Sequence, residues 1–420
     1  MINLIIFIYK NLDIFLYVFY QCIKYKIGLI NFNLMIKNTC SSIGEKNIFY
    51  LKMFQWGIQE NYKLNKELIE YFNTFSNNVP YTNEELEYAN FIINEAKHYA
   101  ESNGNILILD KDKLEPINAG TVALVFKGKY NNKDVAIKIL RKNIKSKIKE
   151  GINDILEFSN FLILLTSFFY TNIEINMKDI LKNNEELLIS QCDFTNEIEN
   201  LELFNKNMKK HEDIIIPTVY KEFLNASNDL IIMEFLKGRI MSNCEKNELS
   251  LYYPLIIKFS FETIFIHRSL HADLHVGNIL ILDEGKIGII DFGLVNHNSK
   301  IFTNNLFNFI INLSNNNKKL LVKYLVNLLL DKNENLNKEN IKQINEFIIN
   351  KVKIQQDLTF SLDEIIELIS NLKYLKNYKI NPLICKNILG VLSSLASIEK
   401  FGDKKPIGVI FNECLEKYEL

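Results

Sequence analysis

The sequence predicts an α+β fold of two lobes, a sheet-rich first lobe feeding a helix-rich second one, behind a helical N-terminal stretch. Three observations predict it. Helical periodicity dominates the first hundred residues; two β-rich segments with a polar turn between them follow; helical patterns then return, with two short strands among them. At 420 residues, 48% hydrophobic, the chain can bury a sizeable core and is not a disordered polymer. Its 49 basic and 50 acidic residues leave no global attraction for nucleic acid, so that class of partner is excluded.

The elements divide into four stretches. Residues 1–45 form an apolar segment in which Leu4–Tyr20 is interrupted by Lys10 and Asp13. That is too broken for an ordinary spanning helix and lacks a basic start and small-residue cleavage site, so an amphipathic helix on the protein or on a membrane surface is expected. Residues 46–104 read as a helical extension: Leu64, Leu68, Phe72 and Phe75 share one face, Pro80 marks a turn, and Asn83–Glu85 opens a helix towards Tyr99. Residues 105–240 contain Thr121–Tyr130 and Val135–Leu140 as a hairpin around Asn131–Asp134, a long helical insert to about Met208, and strands at Thr218–Phe223 and Asp229–Phe235. Residues 241–420 are helical apart from strands at Asn278–Leu282 and Lys286–Ile290, with loops at Ser314–Lys319 and Asp331–Asn340. The six cysteines are scattered without a CxxC pair, which suits a reducing compartment better than a disulfide or zinc framework.

The chemistry concentrates in His271-Ala272-Asp273-Leu274-His275-Val276-Gly277-Asn278, followed across a short hairpin by Asp291-Phe292-Gly293. This is H-x-D-x-x-x-x-N followed by D-F-G. Phosphoryl transfer needs one carboxylate to orient the attacking hydroxyl, and an amide oxygen plus a second carboxylate to hold Mg²⁺ on the nucleotide phosphates. Asp273 is the candidate for the first role, and Asn278 and Asp291 for the metal. His267, His271 and His275 raise a zinc alternative, disfavoured because Gly277 argues against a helix there. Upstream, Val135-Ala136-Ile137-Lys138 has the form of the strand lysine that meets ATP phosphates, with Ala136 beside the nucleotide. A buried lysine in such a strand needs a partner; Glu197 and Glu199 compete for that role. Ile231–Gly238 reads as the strand and hinge whose backbone, at Glu234 and Phe235, meets the adenine. The loop Gly120-Thr121-Val122-Ala123 occupies the place of a glycine-rich nucleotide loop but has a single glycine, and no A-P-E follows Gly293. A peptide-docking platform is therefore short or missing.

These features resemble the UbiB/AarF-domain-containing (ADCK) atypical kinase family, over about residues 48 to 400. Gly120–Val125 is similar to the family's alanine-rich A-S-I-A-Q-V loop, His271–Leu280 to its H-A-D-P-H-P-G-N-I-L, and Asp193–Glu197 to the D-x-x-x-E part of its E-x-D-x-x-x-E, which favours Glu197 over Glu199. Tyr50–Trp56 is similar to its Y-I-K-x-G-Q-W. The resemblance implies a bilobal protein-kinase-like fold with an N-terminal helical extension covering the active site and disfavouring protein substrates. It implies ATP and Mg²⁺ as cofactors, ATPase or small-molecule kinase activity, a link to lipid or quinone metabolism, and association with a lipid or membrane surface. A homodimer is a further expectation, and a mitochondrial location rests on the resemblance alone. Two rival readings are an aminoglycoside- or choline-kinase-like phosphotransferase, which shares H-x-D-x-x-x-x-N, and a nucleotide-binding pseudokinase acting through partners. Phe54, Leu124 and Gln191 depart from the motif glycine, the loop glutamine and the first acidic residue respectively.

Overall fold

The computed structural model describes residues 2–58, 66–73, 78–110, 113–167, 185, 188–314, 318–329, 339, 342, 387 and 413–416. The chain divides into two compact units: Met1–Asn205 with Pro217–Lys237, and Lys206–Ile216 with Gly238–Leu420.

The first unit begins with α1 (Ile2–Lys10), α2 (Leu12–Lys26) and α3 (Phe32–Lys46). The apolar start is thus two helices broken at Asn11, whose side chain turns back to donate to the Phe7 carbonyl at 3.0 Å. Asn31 caps α3 by accepting from the Leu34 N–H at 2.8 Å. α2 is inverted relative to a water-facing helix. Gln21 is buried, its carbonyl accepting from Asn38 Nδ2 at 3.1 Å, while Leu12, Leu16, Phe19, Tyr20 and Ile23 face outward.

α4 (Phe49–Ile58) and α5 (Lys66–Asn73) follow. Glycines let α4 approach its neighbours: a Cβ on Gly44 would lie 2.3 Å from Leu51 Cδ2, and one on Gly151 2.6 Å from Phe49 Cδ1. On α5, Leu68 and Phe72 are buried, as their spacing predicts; Leu64 and Phe75 lie outside the described residues. α6 (Asn83–Ser102) starts with a complete capping box between Thr82 and Glu85.

An antiparallel sheet then forms from β1 (Leu107–Leu109), β2 (Asn118–Ala119), β3 (Ala123–Tyr130) and β4 (Lys133–Leu140). The β3–β4 turn is two residues, Asn131 (φ 48°) and Asn132 (φ 65°), tighter than the four-residue turn expected. Positive φ at both positions matches the strand twist, and asparagine tolerates it. After α7 (Ile144–Ser167) and α8 (Phe194–Met208), the chain enters β5 (Ile214–Ile215) of the second unit and returns as β6 (Leu230–Glu234) beside β4. The expected strand Thr218–Phe223 is only half one. Tyr220 donates to the Ile232 carbonyl at 2.8 Å, and Lys221–Asn225 then wind into a 3₁₀ turn. That turn buries Phe223 against Tyr99 and Tyr130, an apolar contact a continuing strand could not make. Ile92, Ile93, Ala96 and Ala100 of α6 join Phe126, Val135, Ile137 and Ile139 of the sheet in one core.

In the second unit, β7 (Arg239–Ile240) leads into α9 (Lys246–Phe261), a π turn over Glu262–Ile266 and β8 (Ser269–His271). Glu248–Ile266 is long and apolar enough to cross a bilayer, yet Tyr253 and Phe259 are wholly buried within the unit, as in a core helix. β9 (Ile279–Ile281) and β10 (Ile287–Ile289) form the expected hairpin inside a sheet ordered β5-β10-β9-β7, and β11 (Val295–His297) pairs with β8. α10 (Lys300–Ser314) and α11 (Lys318–Leu329) follow; nearly all of the loop expected at Asp331–Asn340 lies outside the described residues.

Candidate active site

In the first unit the strand lysine has its partner. Lys138 Nζ lies 2.6 Å from Glu197 Oε1, with side chains 9% and 2% exposed. Alternation along β4 alone would not bury a cation; the carboxylate of α8 compensates it. The rival Glu199, two residues along the same helix, faces solvent. Just before α8, Gln191 Oε1 accepts from the buried Lys52 Nζ at 2.6 Å. The lysine of Tyr50–Trp56 is thus fastened six residues upstream of Glu197. Phe54, where the family motif has glycine, packs against Phe72 at 6.4 Å between ring centroids.

The candidate nucleotide loop connects β2 and β3. Gly120 N–H donates to the Ala123 carbonyl at 3.0 Å, and Thr121 and Ala123 are buried, with Val122 half-buried. No residue from Asn118 to Val125 has positive φ, and a Cβ on Gly120 would meet nothing closer than the Ala123 oxygen at 3.6 Å. The turn does not use glycine's special backbone freedom, which is why alanine and threonine fit it. Ala136 is buried in β4 opposite Lys127 and Met233. At the hinge, Glu234 N–H donates to the Thr218 carbonyl at 2.8 Å and Phe235 N–H to the Asp134 carbonyl at 3.1 Å. Those two amide donors are therefore taken within the protein, a constraint on adenine contact that strand patterning did not reveal.

In the second unit, His271 organises the other half of the chemistry. Asp273 N–H donates to His271 Nδ1 at 3.2 Å, which leaves the proton on Nε2, donated to the Asp291 carbonyl at 2.6 Å. Burial pushes the His271 pKa down and keeps the ring neutral. One imidazole thereby ties the Asp273 loop to the Asp-Phe-Gly segment, with Phe292 packed on its face at 5.1 Å between centroids. Asn278 Nδ2 donates to the Asp273 carbonyl at 3.0 Å, a bond that fixes the amide so that its oxygen points away from that contact. Gly293 N–H donates to Asp291 Oδ1 at 3.0 Å, and Ile290 N–H to the Asn278 carbonyl at 3.1 Å. Asp273, Asn278 and Asp291 are all half-buried.

Among the described residues no group of three or more His, Cys, Asp or Glu side chains could hold a metal. His271 and His275 are committed to local hydrogen bonds, His275 Nδ1 accepting from Gly277 N–H at 3.0 Å, so the zinc alternative loses its ligands. A pair consisting of one amide oxygen and one carboxylate suits Mg²⁺, which takes one or two protein ligands and completes its shell with phosphates and water.

Comparison with known proteins agrees with the motifs. The ABC1 atypical kinase-like domain profile matches residues 107–325. A protein of Paramecium bursaria Chlorella virus 1, named a putative ABC transporter, is 30% identical over 43% of this chain and 37% of its own length. An uncharacterized aarF domain-containing protein kinase of Arabidopsis thaliana, named chloroplastic, is 29% identical over 44% and 35%. A probable protein kinase UbiB of Actinobacillus pleuropneumoniae is 24% identical over 40% and 32%. The matches thus span about a third of the length of these relatives. With the profile covering half of its length, and with a kinase-like α+β domain that has helices at its N-terminus and carries H-x-D-x-x-x-x-N and D-F-G, this chain belongs to the ABC1 atypical kinase-like family, the family of the AarF-domain and UbiB proteins.

Proposed function

We propose that the protein is a Mg²⁺-dependent, ATP-using atypical kinase that transfers the γ-phosphoryl group to a small-molecule hydroxyl or to water. The observation that carries this reading is that every polar side chain phosphoryl transfer requires is present and locally held, in the buried Lys138–Glu197 pair, in Asp273 and Asp291 tied by His271, and in Asn278 bonded to the Asp273 carbonyl. Lys138 neutralises and positions the α- and β-phosphates, and Glu197 holds its ammonium in place. Asn278 and Asp291 would hold the metal, which would supply charge neutralisation on the phosphates. Asp273 accepts a hydrogen bond from the acceptor hydroxyl and takes its proton as the acceptor oxygen bonds to the γ-phosphorus and the bond from that phosphorus to the β-phosphate oxygen breaks, releasing ADP. Each of the two units carries one of these sets.

The short stretch between Gly293 and α10 favours a small acceptor over a protein. Lys52 bonded to Gln191 beside α8 favours the UbiB type over an aminoglycoside-kinase type. A link to quinone or lipid metabolism is the acceptor class the family suggests. Phosphate release from ATP by the purified chain tests the reading: it should require Mg²⁺ and vanish in Asp273→Asn, whereas unchanged turnover in that variant would contradict it. Retained ATP binding without turnover in either form would favour the pseudokinase.

A second observation supports a lipid partner. The outward aliphatic and aromatic face of α2, with Gln21 turned inward and Lys24 and Lys26 in its last turn, has the character of a helix lying at a membrane surface. Binding to anionic vesicles that is lost in Leu16→Glu/Phe19→Glu supports this role; concentration-dependent dimerisation lost in the same variant assigns the face to a second copy instead.

A further inference from the structure

Arg141 directly follows β4 and is the largest wholly buried side chain among the described residues of the first unit. Its bonds converge on the nucleotide loop and its support. Nε donates to the Gly120 carbonyl at 2.8 Å, Nη1 to the Pro80 carbonyl and Glu85 Oε2, each at 2.9 Å, and Nη2 to the Val79 carbonyl at 3.1 Å. Its own N–H donates to the Val122 carbonyl at 2.9 Å, and Val79 N–H to the Ala119 carbonyl at 2.8 Å. Three carbonyls of the loop, those of Ala119, Gly120 and Val122, are thus held by Arg141 or by the segment it anchors. Glu85 serves double duty, because the same carboxylate oxygen accepts from the Thr82 N–H at 3.0 Å in the cap of α6.

We infer that Arg141 is a positioning residue that presets the nucleotide loop, turning its carbonyls inward onto the buried guanidinium and its segment so that the Thr121 amide is presented to a nucleotide phosphate. A trans peptide directs its N–H opposite to its carbonyl; fixing the Gly120 carbonyl on the guanidinium therefore fixes the Thr121 N–H pointing the other way. Orientation of this kind is what a glycine-rich flap acquires only on binding, and here it is built before binding, without positive φ. The planar guanidinium presents its donors to carbonyls on two segments in one rigid fork, a geometry the compact ammonium of lysine does not reproduce, so lysine is not equivalent at this position.

The inference rests on nucleotide binding by this unit, and the test separates the two. Binding of MgATP and of adenosine is measured by calorimetry on the full chain, as wild type and as Arg141→Lys, with thermal unfolding alongside. The expected result is about tenfold or greater loss of MgATP affinity, the scale of lost charge-assisted hydrogen bonds, with adenosine affinity unchanged. Equal loss for both ligands, or no loss for either, overturns the positioning role. No MgATP binding by the wild type overturns the nucleotide reading itself, and with it this inference. If Arg141→Lys does not fold, Glu85→Gln, which weakens the anchor of the guanidinium, is carried through the same comparison and must show the same selective loss.

Discussion

At the scale of single residues, the account depends on charges that are buried in pairs and on backbone conformations that are specific. Removing Lys138 leaves Glu197 in a buried site, so Lys138→Met should cost about 3 kcal/mol of stability in urea denaturation, and Lys138→Met/Glu197→Leu should recover much of it. Glu199→Gln, on the exposed side of the same helix, should change neither stability nor activity. Arg268 is exposed and holds φ at 55° just before β8; Arg268→Gly should stabilise the fold by about 1 kcal/mol. Burial lowers the His271 pKa below its ordinary 6.5. In the pH range just below 6.5 the unfolded chain then binds more protons than the folded one. The His271 contribution is therefore complete above pH 6.5 and is lost as pH falls towards the folded pKa, which a series of unfolding midpoints between pH 7 and pH 5 would record. Sequence made Lys138, Asp273, Asn278 and Asp291 legible because their types and spacing are dictated by chemistry. It left Arg141 invisible, because that role depends on Val79, Pro80 and Glu85 being brought to it from some sixty residues away.

At the scale of elements, strand identity was legible and strand ends were not. The β3–β4 and β9–β10 hairpins follow from branched apolar runs around polar turns, but the first turn is tighter than the composition Asn-Asn-Lys-Asp suggests. The failed second half of Thr218–Phe223 has a tertiary cause, the burial of Phe223 beneath the aromatic rings of Tyr99 and Tyr130. The two-residue strands β2, β5 and β7 are too short to leave any periodic signal. Close packing makes Gly128 the strictest element-level position. A Cβ there would lie 2.4 Å from the Ile108 carbonyl oxygen of the paired strand, so Gly128→Ala should destabilise the sheet by about 1–3 kcal/mol in equilibrium unfolding.

At the scale of the whole molecule, the chain separates its tasks. The first unit holds the buried Lys138–Glu197 pair, the Gly120–Ala123 loop anchored on Arg141 and an extension fastened through Lys52; the second holds the proposed proton acceptor Asp273 and the proposed metal ligands Asn278 and Asp291 on loops near His271. The apolar start of the chain resolves into paired helices with polar residues turned inward, an arrangement hydropathy alone could not distinguish from a single amphipathic helix. The central claim is that these groups together perform metal-dependent phosphoryl transfer from ATP. The measurement that tests it most directly is Mg²⁺-dependent ATP turnover by the full chain, with and without lipid vesicles, in wild type and Asp291→Asn. The account predicts turnover in the wild type and its loss, by about a hundredfold or more, in the variant, since a metal ligand stabilises charge that develops in the transition state. Equal turnover in the two proteins, or none in either, would contradict it.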